Sequence, residues 1–297
     1  RRAWWSSSVP GHRRKGTRLS ELRSVLGAGI TAFAILEPLH SCLPETDALR
    51  AADFLKDRGF DVAGVKDAVN GRVIGYVERR TLTHGKVADH VKPLTVDCLI
   101  ADTTPLPEVL SFLKSREFAF VLDGTEVDGI ITRADLTKPP VRVYLFGLIS
   151  LLEMHLAHWI RAEFEGDSWK DHLSKRRLDA AVKLQEERRK RNQDIDLIEC
   201  LQFCDKRDLV LKRKELRQAL GLGGKNAAHR FLKRAEDLRD LLAHSQQDLV
   251  QGTAWEDLIE LVEILEIVLE RSDDLIEAGS PIREERHAGG PPEKGKT

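Results

Sequence analysis

In the last third of the chain, the run Leu238-Arg239-Asp240-Leu241-Leu242-Ala243-His244-Ser245 places an arginine, an acid and a histidine on an otherwise leucine-lined segment. Asp240 and His244 are four residues apart and so share a helical face, and Arg239 stands beside them with a side chain long enough to reach round. Histidine titrates near neutrality and can take or give a proton, while arginine stabilises charge on anionic oxygens. Glu236 lies a turn back, and Lys225, His229, Arg230, Lys233 and Arg234 extend a positive strip towards the start of the same helix. A plainer account competes with chemistry. Arg239 would form a surface ion pair with Glu236, and His244 would favour the dipole at the helix end.

The elements before this helix carry an internal repeat. Phe54-Leu55-Lys56-Asp57-Arg58-Gly59-Phe60 returns as Phe112-Leu113-Lys114-Ser115-Arg116-Glu117-Phe118, and Gly75-Tyr76-Val77-Glu78-Arg79-Arg80-Thr81-Leu82 returns as Gly129-Ile130-Ile131-Thr132-Arg133-Ala134-Asp135-Leu136. The first shift is 58 positions and the second 54, so the later copy has the shorter turn. Each copy reads as a helix (47–58 and 106–116), an apolar strand (61–65 and 118–122), a Gly/Asn/Asp turn and a second strand; 30–36 and 98–101 add a strand before each. Two β-α-β-β units result, and since neither covers both faces of its small sheet alone, they should pack together with a cleft between them.

On those residues the repeat resembles a tandem pair of CBS domains, modules that sense adenosyl ligands. The run from Gly129 to Leu136 matches the family's pattern at the end of the second strand. The resemblance implies that Thr132 hydrogen-bonds a ligand phosphate and that Asp135 takes the two ribose hydroxyls. A carboxylate suits that role because it offers two acceptors at the spacing of a vicinal diol. The implied regulatory ligand is AMP, ATP or S-adenosylmethionine. The first copy has Glu78 and Thr81 at the matching places, which predicts one competent site rather than two. The competing reading is that Thr132 and Asp135 merely cap the turn or helix that follows the strand.

Thr137-Lys138-Pro139-Pro140 ends the repeats, and strand-like alternation stops there. The spacing predicts a helix over 141–165 with Leu145, Leu148, Leu152, Leu156, Trp159 and Ile160 on one face. His155, His158 and Glu153 lack the further ligand that a metal site needs, so surface or partly packed histidines are expected. The charged stretch 171–191 reads as a solvated helix or loop, with clusters Lys175-Arg176-Arg177 and Arg188-Arg189-Lys190-Arg191 that could meet phosphates. Helices follow over 194–213, 214–222, 227–244 and 255–271. Gly221-Leu222-Gly223-Gly224-Lys225-Asn226 is a connector rather than a phosphate loop, because Ala219 and Asn226 stand where that motif needs glycine and Ser/Thr. The last helix is apolar on Trp255, Leu258, Leu261, Val262, Ile264, Leu265, Val268 and Leu269, too wide a face for one neighbour, which predicts a self-associating bundle of four or five helices.

This all-α region resembles the HEPN superfamily over about 141–271, on the Arg-x4-His arrangement of Arg239 and His244 with Asp240. The resemblance implies that the motif helices of two protomers meet at a dimer axis and that RNA is cleaved without a metal or cofactor. A ribose 2′-hydroxyl would attack the adjacent phosphate with His244 as general base or acid, Arg239 on the phosphorane oxygens and Asp240 orienting either partner. Products would end in a 2′,3′-cyclic phosphate, and Lys225, His229, Arg230, Lys233 and Arg234 would hold the RNA.

The totals agree with a two-domain protein. At 297 residues the chain can bury two cores, and 32% charged residues with no long uncharged apolar run argue against a membrane span. The net charge is −1, but between positions 205 and 234 ten Lys/Arg face three acids, and between 245 and 277 ten acids face Arg271 alone. Such a split suits a polyanion held on one side. Cys42, Cys98, Cys200 and Cys204 have neither disulfide-framework nor zinc-finger spacing; Cys200 and Cys204, a helical turn apart, read as core residues, and a reducing cytoplasm is the simplest setting. The start, Arg1-Arg2-Ala3-Trp4-Trp5, has no initiator methionine or long apolar signal core and reads as trimmed. The organisation expected is a disordered basic arm (1–17), an α+β pair of CBS-like units (18–138), an all-α HEPN-like bundle (139–278) and a disordered tail (279–297). The function expected is a cytoplasmic, homodimeric, metal-independent endoribonuclease governed by an adenine nucleotide, of the kind suited to stress or phage-defence toxins. Two other readings stay open: a non-catalytic nucleotide-sensing regulator whose bundle binds a protein or nucleic acid, and a structural role in which both repeats are dimerisation surfaces.

Overall fold

The computed structural model describes residues 18–193, 195–244, 249 and 254–279. The basic arm expected at 1–17, Ser245 and all of the expected tail except Gly279 lie outside them. The described chain forms two compact units, one of residues 22–147, 249 and 254–262, the other of 18–21, 148–193, 195–244 and 263–279. The change of composition at Lys138 marks the start of a helix, whereas the division between units falls inside it, after Gly147.

A short helix α1 (Leu19–Leu22) runs into a π-helical turn, Arg23–Gly27, and a 3-10 turn, Ala32–Ala34. The strands β1 (Glu37–Pro38) and β2 (Ser41–Cys42), helix α2 (Ala48–Arg58) and strands β3 (Val62–Lys66) and β4 (Val73–Glu78) complete the first repeat. The second consists of β5 (Lys92–Pro93), β6 (Leu99–Ala101), helix α3 (Leu106–Lys114), β7 (Phe118–Asp123) and β8 (Glu126–Thr132). Two four-stranded sheets result, ordered β1-β8-β7-β6 and β2-β3-β4-β5. In each, a helix crosses between parallel strands and an antiparallel hairpin follows, as the repeat predicts.

The outer strands are exchanged. β1, which precedes the first repeat's own strands, pairs with β8, setting Pro38 opposite Gly129; β5 pairs with β4, setting Pro93 opposite Gly75. Four backbone bonds repeat the swap: Ala32 N to Thr104 O and Leu106 N to Ile30 O on one side, Val87 N to Thr46 O and Ala48 N to Gly85 O on the other, all 2.9 Å. The strand expected at 30–36 is therefore absent there. Ile30, Ala32 and Phe33 bond through their backbone to residues 102–106, Thr31 makes a single bridge with Pro105, Ala34 to Leu36 close the 3-10 turn, and a strand begins only at Glu37. Close approach demands glycine at the crossing, since a Cβ on Gly75 would lie 2.5 Å from Val91 Cγ1 and 2.7 Å from Lys92 O.

The helices form for local reasons. Asp47 caps α2 by accepting from Arg50 N at 3.0 Å, and Ala48, Ala51 and Leu55 lie on its buried face. Gly59, at φ 71°, ends α2 in the left-handed region, whereas α3 ends at Ser115 with an ordinary φ of −106°. Within the repeated Phe-Leu-Lys-x-Arg run, Arg58 stacks on Phe54 at 3.8 Å and Arg116 on Phe112 at 4.6 Å. The strands that follow are offset from the sequence repeat: Val62 lies opposite Glu78 as Phe118 lies opposite Thr132, so Val62, not Phe60, matches Phe118. Ala119, Phe120 and Val121 are successively buried, the mark of a strand covered on both faces. Tyr76 on β4 meets Phe118 and Phe120 on β7 at 5.8 and 5.0 Å and so joins the two repeats.

The remaining elements are helical: α4 (Pro139–Glu163), a 3-10 turn Ser168–His172, α5 (Lys175–Arg189), a 3-10 turn Leu197–Cys200, α6 (Phe203–Val210), α7 (Lys214–Ala219), α8 (Lys225–Ala243) and α9 (Trp255–Glu277). The single helix expected over 194–213 is broken. Cys200 and Cys204 accordingly fall on different elements, one buried and one half-buried. Arg161 holds both Asp196 (2.7 Å) and Glu199 (2.6 Å) at the 3-10 turn, which ties that segment to α4. His155 is buried rather than superficial: its Nδ1 lies 2.8 Å from Ser272 Oγ, which also accepts from Trp159 Nε1 at 2.8 Å. By length and composition α4 is long and apolar enough to cross a membrane, with mean hydropathy 1.4, although 61% of that apolar window is buried inside the protein. The sequence shows no such run because Glu153 interrupts it, and Glu153 is met here by Lys206 Nζ at 2.8 Å.

Candidate functional site

The ends of β4 and β8, the residues before β2 and β3 and the start of α9 surround a cleft of about 860 Å³, within the usual size range for small-molecule pockets. On its second-repeat side stand Thr132 and Asp135. Asp135 Oδ2 accepts from Thr132 N at 2.7 Å and from Thr132 Oγ1 at 2.8 Å, a capping arrangement for the 3-10 turn Arg133–Thr137. Its Oδ1 pairs with Lys138 Nζ at 2.9 Å, and Lys138 also reaches Glu37 at 2.5 Å. Burial opposes the charge on Lys138, but Glu37 and Asp135 outweigh it and hold the ammonium above its ordinary value. The Thr132/Asp135 pair thus caps the turn and also lines the cleft.

The first-repeat side is built differently. Glu78, 8% exposed, takes Arg80 Nε at 2.6 Å and Lys92 Nζ at 2.5 Å. Burial would raise its pKa, yet the hydrogen bonds from Lys92 and Arg80 prevail and hold the carboxyl below its ordinary value. Thr81 Oγ1 donates to Glu78 O at 2.8 Å, so it closes a turn. Arg79, at the place matching Arg133, pairs with Asp61. Arg133 is more constrained: its Nε donates to Leu113 O and Arg116 O at 3.0 Å and its Nη2 to Lys114 O at 3.1 Å, satisfying carbonyls at the end of α3, while its Nη1 meets Glu256 at 2.5 Å.

Sequence reasoning missed the rest of the lining. His40 and Phe60 stack on one another with centroids 4.8 Å apart, and Trp255 reaches the same cleft from the first turn of α9. A signal for part of this was available, since Glu37-Pro38-Leu39 returns 55 positions later as Lys92-Pro93-Leu94 and marks the exchanged strands. Trp255 had none; its place depends on where the chain returns more than a hundred residues after the repeats end.

On α8 the expected trio is only partly assembled. Arg239 Nη1 donates to Asp240 Oδ1 at 3.1 Å, and its Nε lies 4.0 Å from Glu153 Oε2. Glu236 is not its partner, because Arg207 takes that carboxylate. His244 is one residue past the helix, exposed, with its backbone N bonded to Asp240 O at 3.0 Å. Along the strip, Lys225, His229, Arg230 and Lys233 are exposed and Arg234 is half-buried. Lys233 is partly neutralised by Asp237 at 2.8 Å and Glu236 at 3.9 Å.

No protein-family model and no curated protein matches the chain. Solved structures similar to its N-terminal part are CBS-pair proteins. CBSX2 from Arabidopsis thaliana is 20% identical, covering 38% of this chain and 95% of that one with a TM-score of 0.34. CBSX2 in complex with AMP is 23% identical over 39% and 98%, also at 0.34. The CBS domain of the bacterial CNNM/CorC family Mg2+ transporter is 14% identical over 41% and 81%, at 0.33.

Proposed function

We propose that the two exchanged repeats form a CBS-type sensor that takes an adenine nucleotide in the cleft, and that the helical remainder of the chain is the part it regulates. The observation that carries this reading is the linked pair at the cleft wall. Thr132 spends its hydroxyl proton on Asp135, and a ribose diol that takes the Asp135 carboxylate frees that proton for a phosphate oxygen. One substitution of partners thus opens both recognition groups. Titration calorimetry of the full chain with AMP, ATP and S-adenosylmethionine tests it, with Asp135→Ala and the shape-preserving Thr132→Val as variants. One ligand per chain, weakened by both variants, is expected. Equal absence of binding in all three proteins retires the sensor.

A second reading is favoured by a separate observation: Arg239 pairs with Asp240 near the end of α8, and His244 is exposed just beyond it. In this reading the chain is a metal-independent endoribonuclease of HEPN type that acts as a homodimer in the cytoplasm, with His244 moving the proton and Arg239 holding the phosphate charge. One chain supplies one such pair, so activity requires a second copy. Incubation of the purified protein with mixed RNA in EDTA, comparing wild type with Arg239→Ala and His244→Ala, decides between an enzyme and a non-catalytic regulator. Cleavage to 2′,3′-cyclic phosphate ends that both substitutions abolish supports the enzyme; cleavage surviving both removes these residues from it.

A further inference from the structure

The cleft is lined mainly by the repeats, but Trp255 is carried by α9. Its indole is half-buried at the wall that also holds Thr132 and Asp135. The neighbouring residue fixes its place. Glu256 pairs with Arg133 at 2.5 Å, and Arg133 is itself held by three backbone carbonyls at the end of α3. Arg133 lies between Thr132 and Asp135 in sequence, so the first turn of α9 is tethered to the turn that presents the two polar recognition groups. Ala254 N donates to Asp257 Oδ2 at 3.2 Å, which closes the start of the helix around the same point.

From this juxtaposition we infer that Trp255 is a ligand-contact residue of the cleft, an aromatic surface for the planar base of the nucleotide, supplied by a helix outside both repeats. This rests on the nucleotide reading above and adds a specificity: a ligand that offers a flat ring gains from Trp255, whereas inorganic phosphate or ribose phosphate does not. Base–aromatic contact is sequence-tolerant and strong enough that its loss reduces affinity by about tenfold.

The test uses the full chain and AMP, with ribose 5-phosphate as the ring-less comparison. Since the protein has five tryptophans, the contact is read by difference. AMP is expected to quench tryptophan emission in the wild type, and Trp255→Phe is expected to keep binding within about threefold by calorimetry while losing the quench, because the phenyl ring still stacks. Trp255→Ala is expected to bind AMP about tenfold more weakly and ribose 5-phosphate unchanged. If Trp255→Ala fails to fold, the Trp255→Phe quench still decides. Should the wild type bind AMP and Thr132→Val weaken it while Trp255→Phe keeps the full quench, the inference is overturned and the sensor stands. Absence of AMP binding in the wild type overturns both.

Discussion

The two repeats share one topology and place opposite chemistry at matching positions. In the second, the cleft-facing carboxylate of Asp135 is held mostly by neutral donors from Thr132, with Lys138 on its other oxygen. In the first, Glu78 is locked by two cations, Arg80 and Lys92, and its partner position, Thr81, is turned to a backbone carbonyl. A hydroxyl–carboxylate bond can be exchanged for ligand hydroxyls with little net change, because one hydroxyl replaces another on the same carboxylate. Glu78 is held instead by a guanidinium and an ammonium, and leaving either costs a charge-assisted bond that a neutral ligand hydroxyl does not replace. On the nucleotide reading, the second repeat therefore offers the ligand a carboxylate and the first does not.

The largest effect that would break this contrast is on binding. Asp135→Ala should lower nucleotide affinity at least about tenfold and destabilise the unit by about 2 kcal/mol, since it leaves Thr132 N without its buried acceptor; Thr81→Ala should leave calorimetric affinity and stoichiometry unchanged. Next comes the backbone. Gly59→Ala should cost about 1–2 kcal/mol in denaturant unfolding because of the left-handed φ, whereas Ser115→Ala at the end of α3 should be near neutral. The smallest concerns Glu78. Glu78→Gln should cost about 1 kcal/mol near neutral pH. Because the folded carboxyl titrates below its unfolded value, its stabilisation is present above the ordinary carboxylate pKa and fades as pH falls through the folded value. The gap between wild type and Glu78→Gln in urea midpoints should therefore close on acidification; a gap that widens would mean that burial, not Lys92 and Arg80, dominates.

Much of the first unit was legible because local rules agree there. Phe-Leu-Lys-x-Arg repeats because Phe and Arg stack one helical turn apart, and the apolar strands after it are bounded by turn residues. The offset between Phe60 and Phe118 was illegible: the Gly59 cap inserts a turn before β3, and a side-chain pattern carries no count of such residues. The extra pairing of β1 and β5 left only the short echo of Glu37-Pro38-Leu39 in Lys92-Pro93-Leu94, since two-residue strands have no alternation to detect. In the helical region amphipathic spacing located α4, α8 and α9, but it could not foresee the break after Cys200 or that Arg207 would take Glu236 from Arg239. Thr132 and Asp135 were found because they are close in sequence; Trp255 was not, because only the fold brings it near them.

The exchange of outer strands also governs how the chain is made. β1 leaves the ribosome first, yet its partner β8 lies some ninety residues later, so the lead-in strand waits with its backbone groups unmet until nearly the whole second repeat has been synthesised. The first repeat likewise lacks its edge until Lys92 and Pro93 emerge. A nick in the link around Gly85 would strand each fragment with its partner's edge piece and an open sheet of its own, a template for pairing with other chains. Cutting the gene between the two halves should therefore yield insoluble fragments that recover only when expressed together.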